Sequence, residues 1–131
     1  MTQPEQNPLL PRLCVIGEAD PYLANLLQRF AQKAGLRIRR AKTGEALLEI
    51  TLREPPALVI PDPDLPGKRR GWEAAQALGN HRVPLIVCTW MSAAEAGQLI
   101  GIEFIYLQKP DIHYLNFTSA LRKAGIISSP Q

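Results

Sequence analysis

The chain of 131 residues is the size of one domain, long enough to bury a core and too short for two. Apolar residues make up 46% and charged residues 21%, which excludes the disordered and fibrous classes. A formal net charge of +3 is too small to imply nucleic-acid binding by itself, no apolar run approaches the ~20 residues that cross a bilayer, and the N-terminus carries no leader pattern; a cytoplasmic location is therefore expected.

In chain order, Arg12-Leu13-Cys14-Val15-Ile16 is a short apolar strand, and Asp20-Pro21 opens a helix with a capping carboxylate and a proline at its first position. Leu23, Leu26, Leu27, Phe30, Ala31 and Ala34 recur at helical spacing up to Gly35, a natural stop. Leu36 to Arg39 alternates apolar and basic residues, as an edge strand with one solvated face does. Thr43-Gly44-Glu45 opens a second helix, which Pro55-Pro56 ends. Ala57-Leu58-Val59-Ile60 is wholly apolar and suits a central parallel strand covered on both faces. The pattern continues with a helix near Trp72 to Leu78, a strand at Leu85 to Cys88, a short helix near Ala93 to Ile100 and a strand at Phe104 to Leu107. A last helix places Tyr114, Phe117, Thr118 and Leu121 on one face.

Strict alternation of strand and helix predicts a parallel sheet with helices on both faces, a doubly wound α/β domain over 12–125 between an N-terminal tail, 1–11, and a C-terminal tail, 126–131. In such folds ligands bind beyond the carboxyl ends of the strands. The residues found there are Glu18, Ala19 and Asp20 after the first strand, Asp62 and Asp64 after the third, Thr89 after the fourth, and Lys109-Pro110 after the fifth. Singly, each has a plain reading as a turn, cap or solvated residue; together they describe one acidic pocket with a lysine. Cys14 and Cys88 lie in separate apolar runs, so neither a redox pair nor a zinc cluster is available, and buried free thiols are expected.

Four motifs in this order resemble the receiver domain of response regulators: Val15 to Pro21, Leu58 to Gly67, Val83 to Thr89, and Tyr106-Leu107-Gln108-Lys109-Pro110. The resemblance spans Leu13 to Ala124. It implies a CheY-like, flavodoxin-like (βα)5 sandwich with a five-stranded parallel sheet in the order 2-1-3-4-5. It further implies that Asp62 is the phosphoacceptor, Glu18 the first of an acid pair around Mg²⁺, Thr89 the switch hydroxyl, Lys109 the phosphoryl-contacting cation and Tyr106 the switch aromatic, with a cis Lys109-Pro110 bond. In that strand order another strand separates Cys14 from Cys88, too far for a disulfide.

The sequence departs from the family at Ala19, where the second, metal-ligating carboxylate normally falls. Mg²⁺ is then expected to bind weakly or not at all, through Glu18 and Asp62 with Asp64 as a substitute ligand. Pro61 and Pro63 flank the acceptor and lack N–H groups. Trp90 stands where a small residue is usual; of shielding the pocket, anchoring a partner or packing on the short fourth helix, packing is the expectation.

The functional expectation is a stand-alone receiver domain of two-component phosphorelay signalling. It would accept a phosphoryl group on Asp62 from a histidine kinase or phosphotransfer protein and act on a separate downstream protein partner, as a signalling domain rather than an enzyme. The alternative is a pseudo-receiver, a phosphorylation-independent protein-interaction module; a more remote one is a flavodoxin-like small-ligand binder, against which the acidic Glu18-Ala19-Asp20-Pro21 loop argues. Lys68-Arg69-Arg70 and the basic residues around the second strand lack interleaved aromatics, so nucleic-acid binding is not expected, while a homodimer is left open.

Overall fold

The computed structural model describes residues 11–128. Most of the expected N-terminal tail and the last residues of the C-terminal one therefore lie outside the described residues. Ten elements alternate: β1 (Leu13–Gly17), α1 (Pro21–Lys33), β2 (Arg37–Ala41), α2 (Gly44–Arg53), β3 (Leu58–Pro61), α3 (Gly71–Asn80), β4 (Ile86–Thr89), α4 (Ala93–Ile100), β5 (Ile105–Gln108) and α5 (Tyr114–Lys123). The local reasons are those expected at two helix starts. Asp20 accepts the Tyr22 amide before Pro21, and Thr43 accepts the Ala46 amide, each satisfying a first-turn donor that has no partner within its helix.

Every strand begins and ends at least one residue later than the apolar run that announced it. Apolar runs mark what is buried, whereas strand bounds follow the ladder, and the ladder includes the pairs Gly17↔Ala41, Gly17↔Pro61 and Thr89↔Gln108. These last rungs set the residues of the carboxyl-end loops in position.

All pairings are parallel, in the order β2-β1-β3 and β4-β5, and a single bridge, Val59↔Leu85, joins β3 to β4. The spatial order is thus 2-1-3-4-5, in two ladders rather than one. The break has a covalent cause. Val59 donates its amide to Pro84 on the β4 side, while Asp62 donates to Gly17 on β1. By the alternation of a strand, residue 61 must face β4, and there it is proline, with no N–H to make the next rung.

Strand residues alternate between two cores. Cys14, Ile16, Leu58, Ile60, Ile86 and Cys88 face α1 and α5, where Leu27, Phe117 and Leu121 are fully buried. Leu13, Val15, Val59, Leu85 and Val87 face α2, α3 and α4. Cys14 and Cys88 are both buried free thiols, with β3 between their strands. The expected start of the C-terminal tail needs correcting: Ile126 is buried in the first core and donates its amide to Leu121, so the packed chain runs past residue 125. Its side chain covers α5, which a free tail could not do. Among the described residues no helix is long and apolar enough to cross a membrane.

Candidate functional site

Four strand ends converge on Lys109. Lys109 follows β5, its peptide bond to Pro110 is cis, and its ammonium lies at the ends of β1 and β3 with 4% side-chain exposure. Nζ lies 2.7 Å from Glu18 Oε1 and 2.9 Å from Asp62 Oδ2. The remaining oxygens are held by backbone: Glu18 Oε2 accepts the Asp20 amide at 3.1 Å, and Asp62 Oδ1 accepts the Asp64 amide at 2.9 Å. Asp62 keeps 12% side-chain exposure and is the member of the trio that solvent or a reactant reaches most easily.

Burial pushes the Lys109 ammonium toward its neutral form, but the hydrogen bonds and charges of Asp62 and Glu18 more than offset this, and its pKa lies above the ordinary lysine value. Beneath the trio, burial pushes the Cys88 thiol up to about 12, while Lys109 pulls it down and Glu18 and Asp62 push it further up.

Thr89 is fully buried at the end of β4. Its hydroxyl oxygen accepts the Met91 amide at 3.1 Å, and the Tyr106 hydroxyl donates to the Met91 carbonyl. Met91 therefore links the two through its main chain. Sequence reasoning missed it, because a backbone bridge leaves no signature in residue type. Desolvation, with smaller contributions from Glu95 and Cys88, raises the Tyr106 phenol above its ordinary pKa.

Two expectations fail. Asp64 is exposed and joins the site through its amide alone, and among the described residues no group of three or more His, Cys, Asp or Glu side chains is gathered as metal ligands. The turn that gives Asp62 the Asp64 amide leaves the Asp64 carboxylate in solvent. Trp90 does not pack on α4 but is 65% exposed; the loop spends its inward positions on Thr89 and the half-buried Met91, and the indole between them faces out. A magnesium ion would meet two carboxylates here. Ala19 carries no side-chain oxygen, and Glu18 and Asp62 each place one oxygen beside Lys109 and give the other to an amide, while Glu18 Oε1, buried and ion-paired, has no hydrogen-bond partner.

No protein-family model and no curated protein matches the sequence. Solved structures match the fold. A response regulator from Chloroflexus aurantiacus, described as putative, superposes with a TM-score of 0.76 at 24% identity, covering 88% of this chain and 98% of the other. The chemotaxis protein CheY4 of Vibrio cholerae gives 0.74 at 16% identity over 88% of this chain and 99% of its own. The receiver domain of a sensor histidine kinase from Pseudomonas aeruginosa, solved with a magnesium ion coordinated in its active-site cleft, gives 0.76 at 19% identity over 88% and 99%. The architecture is that of CheY-like receiver domains.

Proposed function

We propose that this chain, which has the receiver-domain fold, is a receiver of two-component phosphorelay signalling whose Asp62 accepts a phosphoryl group from a histidine kinase or phosphotransfer protein. The observation that carries the proposal is the convergence of Asp62, Glu18 and Lys109 at the carboxyl ends of β3, β1 and β5. In the step, an Asp62 carboxylate oxygen attacks phosphorus. The new O–P bond forms as the N–P bond of the phosphohistidine breaks, and its electron pair returns to the imidazole. Lys109 is placed to balance charge on the phosphoryl oxygens, which is the larger part of what a protein supplies to such a transfer. In this proposal the Thr89 hydroxyl leaves the Met91 amide for the new phosphoryl group, and Met91 passes the change to Tyr106. The domain signals to a protein partner and is not an enzyme in the ordinary sense. Magnesium binds weakly or not at all, with Glu18 and Asp62 the residues that would meet it.

A specific observation favours a second reading, the pseudo-receiver. Lys109 already pairs with both carboxylates and offsets half of their charge, and Ala19 leaves the acid pair one member short. The two readings part under one experiment. The full chain is offered acetyl phosphate, or beryllofluoride, with and without Mg²⁺, and intact mass and Trp90 fluorescence are followed. A phosphoryl adduct or a spectral change that Asp62→Asn abolishes supports the acceptor. A folded protein that shows neither supports the pseudo-receiver.

A further inference from the structure

The face between α2 and α3 carries an apolar groove of about 660 Å³. Leu48 and Leu52 of α2, Pro55 and Pro56 after it, and Leu78 and Val83 at the end of α3 are among its lining. Leu52 is 84% exposed, a large apolar side chain left uncovered beside a concavity. The rim is of one sign. Arg69 stands before α3 and Arg82 after it, both line the groove, and no carboxylate does. Neither arginine forms an ion pair among the described residues. The two nearby carboxylates that cap this region, Glu45 and Glu73, accept the amides of Lys68 and Arg70.

Arg82 adds an independent observation. α1, α4 and α5 end with a glycine in the left-handed region, Gly35, Gly101 and Gly125, at φ of +90°, +72° and +75°. At the end of α3 the turn of α1 and α5 is made, with the Arg82 amide donating to Gly79 and the Val83 amide to Leu78, but the left-handed residue is Arg82 itself, at φ +63°. An L-residue with a long side chain is strained where glycine is not. The fold gains nothing from arginine here, whereas a groove with a cationic rim does.

We infer that the α2–α3 groove docks an acidic amphipathic helix of a partner protein, its apolar stripe over Leu48 and Leu52 and its carboxylates on Arg69 and Arg82. A helix suits the site because α2 and α3 satisfy their own backbone groups and offer no strand edge to an extended peptide. α3, ten residues and about 15 Å long, lies between the two arginines, so the partner's acidic positions should lie about three turns apart. The inference stands apart from any chemistry at Asp62.

The probe is a synthetic amphipathic helix with a leucine stripe and glutamates near both ends, compared with the same peptide carrying lysines for glutamates. Titration into the isotope-labelled full chain is followed by amide chemical shifts. The expected result is shifts confined to α2, α3 and their loops, a Kd on the order of 10–100 µM, and at least tenfold weaker binding of the lysine peptide. Leu52→Asp and Arg82→Gly should each weaken the acidic peptide at least threefold, and Arg82→Gly should at the same time raise Tm by about 2–6 °C by relieving the strained turn. Absence of binding at 1 mM, equal binding of both peptides, shifts centred on another face, or a lowered Tm for Arg82→Gly would overturn it. So would a dimer in sedimentation equilibrium that Leu52→Asp dissociates, which gives the groove to a second copy, or duplex DNA binding that Arg82→Gly removes.

Discussion

Glu18 and Asp62 both hold Lys109, Asp62 by a hydrogen bond and Glu18 by an ion pair, and each gives its other carboxylate oxygen to the amide two residues further along the chain. Two acids from different strands are thereby fixed in orientation by local turns and in charge by one shared cation. Removing that cation tests the arrangement most directly. Lys109→Met leaves two carboxylates facing each other with little solvent to separate them, and should cost about 2–4 kcal/mol of stability in urea unfolding at pH 7. A loss within about 0.5 kcal/mol would mean that the pair does not depend on Lys109.

Alkaline pH should weaken the fold through its buried thiols. Burial raises Cys14, and burial chiefly raises Cys88, from 9.0 to about 12, so above pH 9 the unfolded chain ionises while the folded one does not. A group raised on folding contributes stability that is complete below its unfolded pKa and lost as pH rises, here from 9 toward 12, by about 1 kcal/mol per pH unit for each thiol. The Lys109 ion pairs follow the same sign and fail at still higher pH, above the ordinary lysine value. Urea midpoints between pH 8 and 10.5 should decline in the wild type, and Cys14→Ala with Cys88→Ala should flatten that decline.

Pro61→Val restores an N–H that faces β4. Hydrogen exchange should show the new residue 61 amide protected as a ladder amide is, against net stability changed by no more than about 1 kcal/mol, because a hydrogen bond gained is set against chain entropy returned to the unfolded state. Rapid exchange at residue 61 would place the cause of the broken ladder elsewhere.

Gly71 begins α3 directly behind the acceptor. A Cβ there would fall 1.9 Å from the Asp62 carbonyl oxygen, so Gly71→Ala must move either the helix or the acceptor's main chain. We expect a loss of about 1–3 kcal/mol together with altered chemical shifts at Asp62 and Lys109, the second readout separating a disturbed site from simple overpacking.

Trp90, 65% exposed, should be quenched freely by acrylamide, and Trp90→Ala should shift stability by no more than about 0.5 kcal/mol. A larger loss would restore the packed role expected from sequence.

What the sequence reveals here is periodicity and punctuation. Alternating apolar runs and helical stripes give all ten elements, and Asp20, Thr43 and Gly35 mark helix ends, because each signal is local and repeats one physical rule. The site is legible to the extent that it uses residue types at strand ends: Glu18 and Asp62 both meet the Lys109 ammonium, and the Lys109 amide donates to Thr89. Three features escape that logic. Trp90 is large and apolar yet faces water, since only its neighbours Thr89 and Met91 turn inward. Asp64 contributes an amide rather than a carboxylate. Ile126 looks like tail and is core, because its burial depends on where α5 ends in space.

The interruption at Pro61 gives the lysine a second office. Glu18 and Asp62 ride on the three-stranded ladder, while Thr89 and Lys109 ride on the two-stranded one. Where main-chain rungs stop, the contacts from Lys109 to the two acids act as a clasp between the halves of the sheet. Any event that alters charge on Asp62 therefore pulls on the fastening of the sheet itself, and chemistry at one oxygen becomes a change in how two slabs of the domain are held together.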